Sequence, residues 1–443
     1  MEGRRAVELA PGHISDLLAI HERFPERYPH LLASHGEAEG RYDILFAYPR
    51  RCLTLGPRAG FAECAEFFSG LDLRLSANVV SEAPGPVDLP FLYGYFLYFS
   101  YELIVGFEPR LGRLKRPSAP LAWVQEFDGS VVRDHKTQTS YVTARNRETA
   151  NAIRHDLLGI RDRDRSDYAV EQIEEDDPRE YLEGIRAVKR YIAAGDIFQA
   201  NLSRGYRARV SGRAPAPAIM RALRMHNPAP FSALAHIGST AIISASPERL
   251  MTIQGGRIVT RPIAGTTARS GGSEEDESAR QALWRHPKER AEHIMLVDLE
   301  RNDIGRLCVP GTVRVAKLMD IESYATVHHL VSTIEGRLRS GIRFSAIIAS
   351  LFPGGSITGC PKLRSLEVLS ELEPTARGPY TGSLGYVNQD GKIDLNILIR
   401  TIVLTGERLD WRVGGGIVMD SDPQQELEET RAKAAGLLRA LHA

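Results

Sequence analysis

The sequence predicts an α+β protein with mostly antiparallel sheets, and three observations carry that expectation. Short β-branched and aromatic runs such as TSYVTA (residues 139 to 144) are interspersed with helical stretches. They lack the regular strand–helix alternation that builds a doubly wound parallel sheet. With 443 residues, 43% hydrophobic and 25% charged, the chain can bury one large core or two to three ordinary ones. No tandem repeat, heptad array or low-complexity tract points to a solenoid or a coiled coil.

Charge narrows the partners. Lys+Arg and Asp+Glu both total 56, so there is no basic excess of the kind that tracks nucleic acid or an anionic membrane. Cys52, Cys64, Cys308 and Cys360 form no C-x-x-C pair, which argues against a disulfide framework or a zinc cluster and fits a reducing cytoplasm. The opening MEGRRAVELAPGH lacks the continuous apolar stretch of a secretory signal. Residues 90 to 107, PFLYGYFLYFSYELIVGF, approach the length of a bilayer span but contain Glu102, two glycines and many aromatics. They read as a buried strand running into a helix.

The densely charged stretch from Arg161 to Asp177 reads as a surface linker and a boundary. A helix follows it, with Asp177 as cap, Pro178 in the first turn, Tyr181, Ile185, Val188 and Ile192 on one face, and Gly195 to close it. Next, IFQANLSRGYRARV has the composition of a strand and carries Gln199. Residues 270 to 279, SGGSEEDESA, are expected to be a mobile loop.

Two predicted helices open with the same device. Pro287 precedes Glu289 and Glu292, and Pro423 precedes Glu426 and Glu429; each pair at i,i+3 shares one helix face. Each pair reads either as an ordinary solvated face near a helix N-terminus or as half of a four-carboxylate site for a hard cation such as Mg²⁺. The run FPGGSITGCPK (352 to 362) has a phosphate-loop gap between Gly354 and Gly359, but Cys360 and Pro361 replace the residues that would reach phosphate and metal. Gly414, Gly415 and Gly416 mark either a bulge or tight turn or a place where a ligand meets backbone N–H groups. His329 is either a core imidazole or a catalytic group.

In order, GDIFQANLS, SPERL, RPIAGT, KERAEH, LVDLERNDIGR, VHHLVSTI, FPGGSITGCPK, GSLGY, IRT and GGGIVMDSDPQQELEET resemble the chorismate-utilising enzymes: anthranilate synthase and aminodeoxychorismate synthase large subunits, isochorismate synthase and salicylate synthase. The resemblance runs from about Asp177 to the C-terminus. It implies a large two-layered, mostly antiparallel sheet sandwich with helices outside, an N-terminal region over residues 1–165 and a chorismate-binding catalytic region over 170–443. It also implies a Mg²⁺ site of Glu289, Glu292, Glu426 and Glu429, and Glu248 as the acid that protonates the departing C4 hydroxyl. His329 and Thr266 would lie beside the ring, and Gly265, Tyr386, Arg400, Lys433 and the Gly414–Gly416 backbone would bind the dianion.

The same resemblance addresses the nucleophile. Members that add water carry a lysine base where this chain has Gln199, which cannot deprotonate water at neutral pH. Ammonia needs no such base. No cysteine sits in the G-x-C-x-G turn of the family's glutaminases, so a separate glutamine amidotransferase subunit is implied. Ala264, in PIAGT, resembles anthranilate synthases, which aminate C2; aminodeoxychorismate synthases usually carry a nucleophilic lysine there. FPGGSITGCPK, VHHLVSTI, DLNILIRTI and GGGIVMDSDP instead resemble aminodeoxychorismate synthases, and 4-amino-4-deoxychorismate is the expected product, with anthranilate the alternative.

YPHLLAS (28 to 34) resembles the LLES-like segment that binds tryptophan in feedback-regulated anthranilate synthases, with Ala33 in place of its glutamate; a plain strand is expected. A degenerate metabolite-binding regulator is the non-enzymatic alternative. It would have lost Glu248 or the metal glutamates, and all are present.

Overall fold

A computed structural model describes residues 6–10, 16–35, 40–78, 88–158, 160, 167–269, 273–323 and 327–442. Its strands are paired antiparallel throughout. One run of pairings leads from Ala169–Glu175 through Gln199–Ser211, Arg408–Ile417, Thr401–Thr405, Thr240–Ser246, Phe231–Ile237 and His30–Ala33 to Tyr42–Leu55. A second run leads from Arg314–Ser323 through Val327–Arg337, Arg257–Thr260, Arg249–Gln254, Ile393–Asn396, Ser383–Asn388 and Gly94–Phe99 to Ala122–Asp134. Tyr42–Leu55 pairs with Ala122–Asp134 along its length, with an irregularity between Pro49 and Cys52. Those two long strands therefore belong to both sheets, which fold over each other there.

Alternation along the shared strands assigns the layers. Ile44 and Phe46 point into an aromatic-rich cluster with Phe91, Phe96, Tyr98, Phe127, Ala233 and Leu384, drawn from both sheets; this is the sandwich interior. Leu45 and Ala47 point the other way, to a cluster covered by the helices Pro215–His226 and Pro423–Leu441. On the other sheet Leu97 and Phe99 pack outward with the helices Phe61–Asn78 and Phe344–Leu351. Helices thus cover both outer faces, as expected. Among the described residues no helix is long and apolar enough to cross a membrane.

Several local expectations are met. Residues 90 to 107 give the buried strand Gly94–Phe99 and a 3₁₀ helix Tyr101–Gly106. Asp177 caps the helix Pro178–Ala193 by accepting from the Arg179 N–H at 2.9 Å, Tyr181, Ile185 and Val188 are buried, and Gly195 has φ +79°. Both acidic helices begin at their prolines, as Pro287–Gly305 and Pro423–Leu441.

Three expectations are corrected. Residues 161–166 lie outside the described residues, but Ala169–Glu175 is a strand and not linker, because Glu175 meets arginines from two elements: it lies 3.1 Å from Arg204 on the neighbouring strand and 2.8 Å from Arg431 on the helix Pro423–Leu441. The supposed loop over 270 to 279 is helical from Ser273 within Ser273–Arg285; Glu274, Glu275 and Asp276 occupy a first turn, where acids favour a helix more than their polarity favours a loop. Residues 270–272 lie outside the described residues. The glycines 414 to 416 form no bulge or turn, but continue the strand Arg408–Ile417 in register with Ser203, Leu202 and Asn201.

Candidate active site

Two chain crossings between the sheets build the centre of the site. After Thr240–Ser246 the chain passes through Pro247 and Glu248 into Arg249–Gln254 of the other sheet. Beside it, Ile393–Asn396 crosses back through Arg400 to Thr401–Thr405. The crossings are tied together: the Ala245 N–H donates to the Arg400 carbonyl at 3.0 Å, and the Ile397 N–H to the Glu248 carbonyl at 3.0 Å. Arg400 has φ +52°, a left-handed conformation uncommon for a side chain of this size.

Glu248 is 5% exposed and, among the described residues, its carboxyl accepts one hydrogen bond, from Ser356 Oγ at 2.6 Å. Burial outweighs that bond and the nearby Lys433 charge, pushing the Glu248 carboxyl up to about 7. Lys433 Nζ donates to the Gly414 carbonyl at 3.0 Å and lies 2.7 Å from Glu429, one helical turn before it.

The glycine strand is a close-approach surface. A Cβ at Gly414 would lie 2.9 Å from the Tyr380 hydroxyl, one at Gly415 3.2 Å from Glu426 Oε2, and one at Gly416 would collide with Gln199 Nε2. Side chains therefore crowd the strand from both faces. Its pairing with Thr401–Thr405 ends at Trp411, so past that point one edge has no strand partner among the described residues. Alternate backbone N–H groups on that edge are thus without a strand partner among the described residues. Gln199 is 5% exposed, and its amide oxygen is buried with no hydrogen-bond partner among the described residues.

His329 faces the same centre from Val327–Arg337, 5% exposed; burial first, then the Arg400 and His328 charges, lowers its pKa to about 4 and keeps the ring neutral. Its strand pairs with Ile263–Ala268, Thr266 opposite His329, with a bulge that contains Ala264 and Gly265. The side chain of Thr266 lies outside the described residues. Gly265 has φ +79°, a left-handed backbone that favours glycine, and a Cβ there would press on the end of the Glu289 side chain at 3.0 Å.

Tyr386 is not with these groups. It packs on Phe91 at 5.6 Å in the sandwich interior and lines a separate cavity of about 120 Å³ with Leu32, Ala33, Ser34, Arg249 and Asp394. The strand Ser383–Asn388 turns its odd positions outward and Tyr386 inward, against Phe96. Tyr380, six residues earlier, stands at Gly414 with Arg400 close by, and burial pushes its hydroxyl up to about 12. The sequence reading missed Tyr380, Ser356 and Glu300; only Glu300, discussed below, left a periodic signal.

The four expected metal ligands are not gathered into one cluster. Glu289 lies against Gly265, Glu426 accepts from Ser421 Oγ at 2.6 Å, and Glu429 is held by Lys433. Among the described residues no three His, Cys, Asp or Glu side chains converge on a common point. As donors the four carboxylates suit Mg²⁺, a hard cation that takes oxygen ligands; the gathering would have to accompany binding.

A buried carboxyl held near neutrality, a neutral imidazole and the Arg400 and Lys433 cations together suit acid–base chemistry on a small anion. The chain belongs to the chorismate binding enzymes, whose family pattern matches residues 34–439. It is 36% identical over 455 residues to an anthranilate synthase component I-like protein of Synechocystis, covering 100% of this chain and 90% of that one. Aminodeoxychorismate synthase component 1 of Salmonella typhimurium is 36% identical over 412 residues, covering 90% of each chain. Among solved structures, anthranilate synthase component I from Streptococcus pneumoniae superposes with a TM-score of 0.75 at 28% identity, covering 90% of this chain and 93% of that one.

Proposed function

We propose that the chain aminates chorismate to 4-amino-4-deoxychorismate in a Mg²⁺-dependent reaction, with ammonia supplied by a glutamine amidotransferase subunit. The observation that carries this reading is Glu248, a buried carboxyl that keeps its proton near neutrality beside cations suited to a dianion. Glu248 gives that proton to the C4 hydroxyl as the C4–O bond breaks and water leaves. Ammonia forms the new C–N bond, and the surplus proton of the resulting ammonium returns to the Glu248 carboxylate, which balances the cycle. Arg400, Lys433, Tyr380 and the edge of the Gly414–Gly416 strand bind and orient the substrate. Gln199, an amide in place of a base, leaves water unactivated. Glu289, Glu292, Glu426 and Glu429 would hold Mg²⁺, which when bound neutralises a substrate carboxylate.

Ala264 favours a second reading, anthranilate synthesis. With no lysine nucleophile at that position ammonia enters directly, and entry at C2 followed by loss of pyruvate gives anthranilate. Purified protein with Mg²⁺, chorismate and an ammonium salt at mildly alkaline pH is expected to consume chorismate without a partner. A product that a lyase converts to 4-aminobenzoate supports the first reading, fluorescent anthranilate supports the second, and unchanged chorismate rejects both.

A further inference from the structure

The turn that leads into the helix Pro423–Leu441 is organised around one hydroxyl. Ser421, 1% exposed, accepts from the Val418 N–H at 3.1 Å, and its own N–H donates back to the Val418 carbonyl at 3.1 Å. Lys189 Nζ, on the helix Pro178–Ala193, donates to the Ser421 carbonyl at 2.7 Å. Asp422 then caps the helix, accepting from the Gln424 and Gln425 N–H groups at 3.0 Å. Backbone and hydroxyl of Ser421 are therefore both fixed, and the hydroxyl proton is directed at Glu426 Oε1, 2.6 Å away.

That bond sets the direction of the carboxylate. Glu426 is 6% exposed, and while Oε1 is tied to Ser421 its Oε2 is turned to the glycine strand, where a Cβ at Gly415 would lie 3.2 Å away. Glu429, on the same face one turn later, is held differently: its side chain is 54% exposed and is paired with Lys433 at 2.7 Å. An ion pair so open to solvent holds its ends only weakly. Of the two carboxylates on this helix, Glu426 is the one whose place is set in advance.

We propose that Ser421 is a positioning residue that presets Glu426 as the first ligand of the divalent cation, with Glu429 following. Ser421 acts through Glu426, so its role rests on the reading of Glu289, Glu292, Glu426 and Glu429 as the Mg²⁺ site. A hydroxyl suits the task because it is a neutral donor. It orients the carboxylate without cancelling the negative charge that a hard cation seeks, as a lysine or arginine in its place would do.

Calorimetric titration of Mg²⁺ alone into the whole protein tests this. Ser421→Ala should weaken Mg²⁺ binding by about 10- to 100-fold, the usual effect of removing a hydrogen-bond partner from a metal ligand. Ser421→Cys keeps the packing volume but offers only a weak S–H donor; it should lose nearly as much, and it carries the test if Ser421→Ala does not fold. Ser421→Thr, which keeps a hydroxyl, should recover most of the binding. In the rate assay the Mg²⁺ concentration for half-maximal chorismate consumption should rise with the loss of affinity, while KM for ammonium stays unchanged. A serine that serves the turn alone would lower the urea midpoint and leave the Mg²⁺ affinity of the folded Ala and Cys variants at the wild-type value, and that result overturns the proposal. A wild-type protein that takes up no Mg²⁺ removes the four-carboxylate site itself, so the two failures are distinguishable.

Discussion

Glu248 and Glu373 are both 5% exposed, yet they are held in opposite charge states. Glu373 accepts from the Ser203 N–H at 2.9 Å, from Ser203 Oγ at 2.8 Å and from Arg377 Nε and Nη2 at 2.8 and 2.7 Å. Burial alone would raise its pKa, but the Arg377 charge and these bonds hold it below the usual carboxylate range. Glu248 has one hydroxyl donor and rises to about 7. Depth is the same in both places, and the number of charged and hydrogen-bonding partners decides the ionisation. The well-partnered carboxylate is a structural tie between the strand Gln199–Ser211 and the segment after Lys362–Leu372, whereas the under-partnered one is available for chemistry.

The largest test of that contrast substitutes each acid. Glu248→Gln should lower turnover by on the order of 10²- to 10⁴-fold, the usual worth of general acid catalysis, with a denaturation midpoint that does not fall. Glu373→Gln should instead cost about 3–5 kcal/mol of stability, because it leaves Arg377 buried and unpaired. Urea unfolding beside steady-state kinetics separates the two, and a destabilised Glu248→Gln protein would break the comparison.

A smaller effect distinguishes the two tyrosines. Tyr380→Phe should raise KM for chorismate by roughly tenfold, the loss of one hydrogen bond to a charged group, while Tyr386→Phe, in the separate cavity, should leave KM within about twofold. Equal effects would remove Tyr380 from the substrate site.

The gentlest test is the pH dependence of stability. Glu300 and Glu248 are raised above the unfolded value of 4.5, so their contribution is full below that pH and is lost as pH rises through about 7 to 8. Glu373 is lowered, so its contribution is present above 4.5 and is lost as pH falls through its depressed value. Glu300→Gln should flatten the alkaline side of a plot of urea midpoint against pH, and Glu373→Gln the acid side. Identical profiles for the two variants would contradict the opposed assignments.

Local rules made much of the molecule legible. Proline at the first turn, a capping Asp177 and apolar residues one turn apart located the starts of three helices, and the two E-x-x-E pairs announced their shared faces. The rules failed where partners were distant. The stretch Ala169–Glu175 looked like linker because the arginines that neutralise it lie 29 or more positions away in sequence. The glycines 414 to 416 read either as a bulge or turn or as ligand-facing backbone, because the side chains that exclude a Cβ come from the distant Gln199, Tyr380 and Glu426. Glu300 and Asp303 repeat the spacing of the first acidic pair and could have been read from the sequence as a continuation of its face.

By itself the sequence determined the α+β class, the helix starts, the family and the inventory of acids and cations, because spacing and residue type act within a few turns of one chain. Only the tertiary structure decided which of these groups meet. It put Tyr380 and not Tyr386 beside Arg400, left Glu248 with a single donor while Glu373 gained four hydrogen bonds, and set Gly355 against Glu300 and its neighbour Ser356 against Glu248. A carboxyl's charge depends on what surrounds it within a few ångströms, and in a folded sandwich those neighbours come from strands hundreds of residues apart.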